Sequence, residues 1–440
     1  MNTSRSIATP TPSAGGIRRA HEALITLALA PLFLSNHALA QGFFEGSTAK
    51  LTTRNYYMDR DYKDDGTKSA SREWAQGFIL KMESGYTPGD IGFGLDLTGM
   101  LGVKLDSSPG RSRTELLPVS AETNRAADEY SRLAPTLKMR MDKTLIRAGD
   151  LSLFLPSVVA SPARLLPQTF RGAHLQSTEF DDLTLHAGYV DRINRRDSTD
   201  YQAMTIASPN QRFDPTAESS HFAFFGGDYE ISTALKLRAH HTQVADLYRQ
   251  SYLGLLHVWP LGDGALTTDL RAFNSTEDGS ARGGEVDNLN LAAQMGYAID
   301  GHRFTLGYMH QSGETAKPYI SGTESMVISE MAMSSDFINP QERTWQAIYD
   351  YNYAAIGLSG LNTRMRYLSG DHIELPGLGG SGLKERELQF EVGYVIQDGP
   401  LRGLGLKARH SIYRNNFAPG AAFRDENQTR LHIDYTFALW

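Results

Sequence analysis

Strict alternation of apolar and polar residues recurs along the chain and is clearest between residues 91 and 105. One face of this segment carries large apolar side chains: Ile91, Phe93, Leu95, Leu97, Leu101, Val103 and Leu105. The other face carries glycines and polar residues such as Asp96 and Lys104. Successive side chains of a β-strand point to opposite sides of the sheet, so this pattern predicts a strand with one face in lipid and the other in water.

The last segment, residues 430–440, repeats this alternation and ends on an aromatic residue, Trp440. Its large apolar side chains all fall on one face: Leu431, Ile433, Tyr435, Phe437 and Leu439. A transmembrane β-barrel needs a final strand that closes the sheet, because an open edge leaves unpaired backbone groups in lipid. We therefore predict that this segment closes a barrel and is recognised by the barrel-assembly machinery.

Similar segments predict eighteen strands. They lie at 48–58, 72–86, 90–105, 130–141, 143–150, 171–178, 182–193, 220–226, 230–242, 250–259, 265–274, 286–299, 302–312, 341–353, 356–368, 385–397, 402–414 and 428–440. Single-chain bacterial outer-membrane barrels have an even number of strands. The predicted fold class is all-β: a transmembrane antiparallel β-barrel of 18 strands with an inward-folded constriction loop.

The predicted connections alternate between short and long. Short turns are expected at 85–89, 142, 179–182, 227–229, 260–264, 300–301, 354–355 and 398–401. Long loops are expected at 106–129, 151–170, 194–219, 313–340 and 369–384. Short periplasmic turns and long external loops are the layout of outer-membrane barrels.

The N-terminal segment has the three parts of a secretory signal. Arg18 and Arg19 are basic, residues 24–34 are largely apolar, and Ala38-Leu39-Ala40 is a small-x-small cleavage site. A membrane anchor is the alternative, but spanning a bilayer needs about 20 apolar residues. We predict a signal peptide at 1–40 and one β-barrel domain at 41–440, located in the outer membrane of a Gram-negative cell.

Composition narrows the classes of function. The formal net charge of −7 disfavours nucleic acid as a partner, and the absence of cysteine excludes disulfides, thiolate metal sites and a cysteine nucleophile. The G-x-S-x-G and H-E-x-x-H motifs of hydrolases and zinc proteases do not occur. We expect no catalytic residue, no metal and no cofactor, and we predict that the protein is not an enzyme.

Alternation also assigns basic residues to the lumen. These residues are Arg364, Arg366, Lys407, Arg409, Arg430, Arg54 and Arg271, and Arg54 lies beside the closing strand. Guanidinium groups in series can replace the hydration of a carboxylate that crosses a narrow pore. The alternative is that each lumenal arginine pairs with a lumenal acid such as Glu391 or Asp434.

Residues 151–170 are predicted to form the constriction loop because they are too apolar for an external loop in water. The residues assigned to this role are Phe154, Pro156, Arg164, Leu165 and Pro167, with Arg164 expected to pair with a wall carboxylate. The alternative is a lid on the barrel rim. Loop 313–340, with Met326, Met331, Met333 and Phe337-Ile338, is also apolar and is expected to fold inward and line a pocket for an apolar solute.

Several stretches, in order along the whole mature chain, resemble the OprD-type family of substrate-specific outer-membrane porins. They are residues 51–57, 72–78 (Arg72-Glu-Trp-Ala-Gln-Gly-Phe78), 99–109, 127–130, 164–170, 197–201 and 436–437. The resemblance implies a narrow 18-stranded pore, an inward loop after the fifth strand and a basic track. That track matches best at Arg364, Arg366, Lys407, Arg409 and Arg430.

The resemblance also implies a function. We predict facilitated diffusion of small carboxylate-bearing solutes, with aromatic or other monocarboxylic acids favoured. The alternatives are a basic amino acid or peptide porin of the same family, and a general diffusion porin. Other expected partners are outer-membrane lipid and lipopolysaccharide, and the expected state is a monomer or weak trimer.

Overall fold

The computed structural model describes residues 42–66, 68–156 and 158–440. Eighteen strands of this part of the chain form the wall of a barrel. They are β1 (Thr48–Tyr62), β2 (Ala70–Glu83), β3 (Ile91–Ser107), β4 (Glu129–Met141), β5 (Thr144–Leu151), β6 (Thr169–Ser177), β7 (Leu183–Asn194), β8 (Phe222–Ser232), β9 (Leu235–Val244), β10 (Tyr248–Leu261), β11 (Gly264–Glu277), β12 (Asp287–Ile299), β13 (His302–Ser312), β14 (Arg343–Asn352), β15 (Leu361–Leu375), β16 (Gly380–Val395), β17 (Gly405–Asn415) and β18 (Glu426–Ala438).

Each strand pairs antiparallel with the next, and β18 pairs with β1 to close the sheet. Arg54 lies opposite Asp434 in this last pair, and the backbone N–H of Ala49 donates to the carbonyl of Trp440 at 3.1 Å. Closure leaves no sheet edge facing lipid. The predicted barrel and its closing strand are therefore confirmed.

The two faces of the wall follow the alternation of the sequence. On β4, Leu133 and Leu137 are more than half exposed and point outward, whereas Tyr130 and Ala134 are buried and point inward. The described residues contain no helix that is both long and apolar enough to cross a membrane. The predicted signal peptide, residues 1–40, lies outside the described residues and stays a prediction.

Glycines on the inner face make room for aromatic rings that lie flat on the wall. A Cβ atom at Gly102 would come within 2.2 Å of the Tyr130 ring, and one at Gly188 within 2.2 Å of the Phe224 ring. Rings laid over glycine cover the wall with little intrusion into the lumen.

The same device explains one wrong prediction. Gly226 and Gly227 suggested a turn at 227–229, but β8 continues to Ser232, and the turn is Thr233-Ala234. Gly226 is a strand residue covered by the ring of His240, since a Cβ there would lie 2.5 Å from that ring. Glycine at position 226 therefore allows the His240 ring to lie directly against the strand backbone, and it does not indicate a turn.

The predicted long loop at 369–384 is also wrong. β15 and β16 run on as a tall hairpin, with Ile373 opposite Leu383 and Leu375 opposite Gly380. The register shifts twice here, next to His372, which has a positive φ. Because these shifts interrupt the apolar–polar alternation, the sequence pattern does not predict the upper part of either strand. At the other end of the hairpin, β15 begins at Leu361, because residues 353–356 form a 3-10 turn.

Removing residues 437–440 should prevent closure, because Lys50 and Leu51 of β1 then lose their partners Ala438 and Phe437. We expect strongly reduced amounts of membrane-inserted, heat-modifiable protein on gels. Trp440→Ala is the matched control, since it keeps the backbone contact to Ala49 and should assemble. Normal membrane levels of the truncated protein would refute the closing role.

Candidate functional site

The β5–β6 loop (residues 152–168) contacts inward-facing side chains of the wall. Leu165 and Leu166 are fully buried in a cluster with Tyr56. The guanidinium of Arg54 donates to the carbonyl of Arg164 at 2.8 Å, and the hydroxyl of Tyr56 donates to the carbonyl of Ala163 at 3.3 Å. These contacts place the loop against the inner faces of β1 and neighbouring strands, and its action as a constriction remains a proposal.

The predicted residues of this loop have different surroundings. Pro156 and Leu165 are buried, and Pro167 is half-buried. The Phe154 side chain is 72% exposed. Arg164 was expected to meet a wall carboxylate, but its Nη2 lies 3.3 Å from Glu115 in the β3–β4 loop (residues 108–128). That expectation is wrong because the β3–β4 loop itself reaches over the lumen.

Glu115 is part of a network that joins the loops. It lies between Arg164 and Arg196, and Nη1 of Arg196 also donates to the hydroxyl of Ser161 at 2.8 Å. The Ser161 hydroxyl donates in turn to Glu324. Burial would raise the pKa of Glu115, but the two arginines outweigh it and lower the pKa to about 2. Glu115 therefore stays charged.

The β13–β14 loop (residues 313–342) also packs inside the barrel. Phe337 and Ile338 are fully buried in a cluster that includes Leu368 and Tyr413, which face inward. The expectation that this loop lines a pocket with Met333, Phe337 and Ile338 is therefore wrong. Of its predicted apolar residues, Met331 is the one that is half exposed.

Backbone hydrogen bonds interlock the loops. The N–H of Glu324 donates to the carbonyl of Val159 at 3.2 Å, which ties the β13–β14 loop to the β5–β6 loop. The N–H of Ala207 donates to the carbonyl of Tyr319 at 2.9 Å, which adds the β7–β8 loop (residues 195–221). Together the three loops form one connected body in the lumen.

Four arginines of the barrel wall form hydrogen bonds to the backbone of the β13–β14 loop. Each donates a guanidinium N–H to a carbonyl of the β13–β14 loop. The pairs are Arg271 to Met326 at 2.8 Å, Arg366 to Ile328 at 2.9 Å and to Glu330 at 3.0 Å, Arg409 to Met331 at 2.9 Å, and Arg430 to Met333 at 2.8 Å. Irregular backbone away from bulk water needs such donors.

These contacts divide the predicted basic residues into two groups, those whose donors are mostly engaged and those that keep free donors. Arg366 is 3% exposed and also donates twice to Gln346, so most of its donors are engaged. Arg271 is similarly occupied, by Asp269 at 2.6 Å and by the Met326 carbonyl. We expect both to hold the loop in place.

The other predicted cations keep free donors. Arg364 lies 2.6 Å from Asp350, and Arg54 lies 2.8 Å from Asp434. Nη1 of Arg409, like that of Arg430, has no hydrogen-bond acceptor among the described residues.

One acid is shared within this set. Glu391 lies 3.2 Å from Lys407 and 3.0 Å from Arg409. The alternative of acid pairing therefore holds in part for Glu391 and Asp434. Pairing leaves Arg364 and Lys407 each more than two-fifths exposed.

Strand register aligns these groups. Arg430, Arg409, Glu391, Arg364 and Asp350 lie directly opposite one another across β18, β17, β16, β15 and β14. We name Arg54, Arg364, Lys407, Arg409 and Arg430 the cation row. Part of the row lines a cavity of about 1060 Å³ at the short-turn end of the barrel.

Sequence reasoning missed Arg303, which lines the same cavity from β13. It lies opposite Asp350 and has no hydrogen-bond partner among the described residues. The alternation could have predicted this residue. Phe304 and Leu306 are exposed and point outward, so Arg303 and Thr305, at the alternate positions, point into the lumen.

Comparison with known proteins fixes the family. Residues 41–439 match the family described as outer membrane porin, OprD family. The chain belongs to the OprD family of outer-membrane porins. It is 33% identical to Porin D of Pseudomonas aeruginosa over 437 residues, which cover 94% of this chain and 95% of Porin D.

Solved structures of OprD-type porins superpose closely. Acinetobacter baumannii OccAB2 is 41% identical with a TM-score of 0.87, and the match covers 91% of this chain and all of OccAB2. Pseudomonas aeruginosa OpdK, solved with vanillate, is 37% identical with a TM-score of 0.83 over 91% of this chain and all of OpdK. The protein is thus an integral outer-membrane β-barrel channel, and it is not an enzyme.

Arg366→Gln should loosen the β13–β14 loop, because the carbonyl of Glu330 loses its guanidinium donor and that of Ile328 keeps only Nε2 of Gln346, at 3.2 Å. An unpaired buried acceptor costs about 1–3 kcal/mol. We expect faster amide hydrogen exchange across 326–333. Arg364→Gln is the control, since its guanidinium contacts Asp350 and no loop carbonyl among the described residues. Unchanged amide hydrogen exchange across 326–333 in Arg366→Gln would show that the hydrogen bonds from Arg366 do not hold the loop in place.

The contact between loops should depend on pH through Glu330. Burial and the neighbouring Glu324 raise the pKa of Glu330 to about 8. The folded loop then holds the Glu330 proton more tightly than the unfolded chain does. The folded state therefore loses stability as the pH rises from the ordinary pKa of a glutamate towards the raised value. Lys317 acts oppositely, because burial lowers its pKa to about 7 and stability returns as pH rises above that value.

Between about pH 5 and 7 the Glu330 effect should therefore dominate. We expect hydrogen exchange at the Glu324 amide to quicken over this range, after correction for the intrinsic rate. Glu330→Gln should remove the dependence, whereas Lys317→Gln should keep it. A wild-type profile that is flat from pH 5 to 7 would rule out this coupling.

Proposed function

We propose that the protein is a channel for small carboxylate-bearing solutes, which move along the cation row. The observation that carries this proposal is the line of Arg430, Arg409 and Arg364 across β18, β17 and β15, beside which Arg364 and Lys407 remain more than two-fifths exposed. Aromatic or other monocarboxylic acids are the favoured solutes.

Charge-assisted hydrogen bonds supply the selectivity. A carboxylate loses water at a narrow point, and successive guanidinium groups replace that water with donors. The acids Glu391, Asp434 and Asp350 weaken each site by sharing the cations. Several weak sites in series allow the solute to leave as readily as it enters.

The interlocked loops favour a selective channel over a general diffusion porin. Three loops meet inside the barrel through the contacts of Glu324 with Val159 and of Ala207 with Tyr319. A lumen occupied in this way admits smaller solutes and brings them close to the wall. In this proposal the β5–β6 loop acts as the constriction.

Similarity to OpdK supports the aromatic class of solute. OpdK was solved with vanillate, an aromatic carboxylate, and is 37% identical to this chain. A second candidate is a basic amino acid channel. The observation that favours it is the cavity in which Asp350, Glu391 and Asp434 alternate with the cations, because these acids offer acceptors to an ammonium group.

Neutralising the row should reduce carboxylate flux. We expect Arg54→Gln, Arg364→Gln and Arg409→Gln each to lower benzoate flux about twofold, as for a screened contact of ~0.4 kcal/mol. The triple variant should lose about eightfold if the sites act independently. Liposome-swelling and single-channel measurements over a range of salt check this, and salt should matter less in the triple variant.

Glucose flux reports pore shape and should change little in Arg364→Gln, whose guanidinium contacts no loop carbonyl among the described residues. In Arg54→Gln and Arg409→Gln it measures any loosening of the loops that these two arginines hold, and benzoate flux is compared with it. Arg282→Gln is the matched control, because this exposed arginine pairs with Asp246 at 2.5 Å in the external loops. Benzoate flux in the triple variant equal to wild type at every salt concentration would exclude the row mechanism. Preferred passage of arginine over benzoate in the wild type would favour the second candidate.

A further inference from the structure

A second cavity lies apart from the cation row. It has a volume of about 480 Å³ and lies between the β5–β6 loop and the inward faces of β2 to β6. No residue of the cation row is among the described residues that line it. Pockets of about 300–1,000 Å³ accommodate small organic ligands.

Phe154 presents an open aromatic ring to this cavity. Its side chain is 72% exposed, whereas the neighbouring Leu153 and Leu155 are 3% and 7% exposed. The other bulky apolar side chains of this loop are buried, so Phe154 is the exception among its described residues. A free phenyl face in a confined space is a ready partner for a second aromatic ring.

The acids that line the cavity are largely satisfied. Asp96 lies 2.5 Å from Lys138, which neutralises it. Asp150 accepts hydrogen bonds from the hydroxyl of Tyr201 at 2.5 Å and of Thr169 at 3.2 Å.

Three charged groups of the lining have no partner among the described residues: Lys81, Arg147 and Glu83. Two of the three are cations. Arg147 faces inward, because it lies opposite Lys138 and His174 on the inner face. The hydroxyl partners of Asp150 are neutral, so the charges of Asp150 and Glu83 balance those of Arg147 and Lys81. A carboxylate can still accept hydrogen bonds from Arg147 and Lys81, which have no acceptor among the described residues.

We propose that this cavity is a transient binding site for aromatic carboxylates, with the ring against Phe154 and the carboxylate towards Arg147 and Lys81. This proposal rests on the proposed passage of carboxylates and adds a site that selects for aromatic rings. A carboxylate that leaves the row finds both a ring partner and free cations here.

The test uses single channels in planar bilayers. Benzoate and its saturated analogue cyclohexanecarboxylate share charge and approximate size, and the dwell time of current interruptions reports their binding. We expect wild type to hold benzoate longer than the analogue. Phe154→Leu should shorten the benzoate dwell time about two- to tenfold and change the analogue little. Phe154→Tyr should preserve the preference.

Arg147→Gln and Lys81→Gln should shorten the dwell times of both probes, because both carry the carboxylate. The matched controls are Phe180→Leu and Lys143→Gln, whose side chains are exposed on turns outside the cavity and should not matter. An unchanged benzoate dwell time in Phe154→Leu, or an equal loss for both probes, would overturn the site.

Butyrate separates this proposal from the general one. Permeation of butyrate tests passage along the cation row without any aromatic contribution. Failure of butyrate to permeate the wild type would count against the row while the benzoate dwell time still tests the cavity. Normal butyrate permeation with a benzoate preference that does not depend on Phe154 would overturn the cavity alone.

Discussion

The donation of guanidinium N–H groups to loop carbonyls is the interaction on which the lumen depends. Loop backbone inside a barrel cannot rely on bulk water for its hydrogen bonds. Arg366, Arg409 and Arg430 supply donors to the β13–β14 loop, and Arg54 supplies them to the β5–β6 loop. The wall thus determines where the loops lie, and the loops determine how much of each cation remains for a solute.

This sharing links architecture to selectivity. A guanidinium has five donors in a fixed fork, so one side can hold a carbonyl while another faces the pore. Arg409 does this, with Glu391 on one nitrogen and the Met331 carbonyl on another. Lysine cannot divide its donors in a fixed plane, which explains why most of the cations in the row are arginines.

The sequence was most informative where alternation is regular. The strands around residues 91–105 and 428–440, and the inward orientation of Arg364, Lys407 and Arg409, could all be predicted from period-two patterns. Pattern reading failed where the register shifts, as at His372, and where glycine serves ring packing, as at Gly226.

The partners of the loops could not be predicted. Which carbonyl meets Arg366, and that Arg164 meets Glu115, depend on how loops fold in three dimensions. Alternation assigns a side chain to a face and carries no information about irregular backbone. Pattern alone therefore showed the cations as one equivalent set. The contacts distinguish Arg366 and Arg271, whose donors are mostly engaged, from Arg409, which holds a loop and keeps one donor free.

The most direct test of the central claim is the position of a bound carboxylate. We would crystallise the protein with 4-iodobenzoate and locate iodine by anomalous scattering. We expect an ordered ligand in the lumen with its carboxylate within hydrogen-bond distance of Arg364, Arg409 or Arg54. Ligand ordered in the lumen outside the cavity beside Phe154, with no carboxylate at any member of the cation row, would contradict the claim that these residues carry the solute.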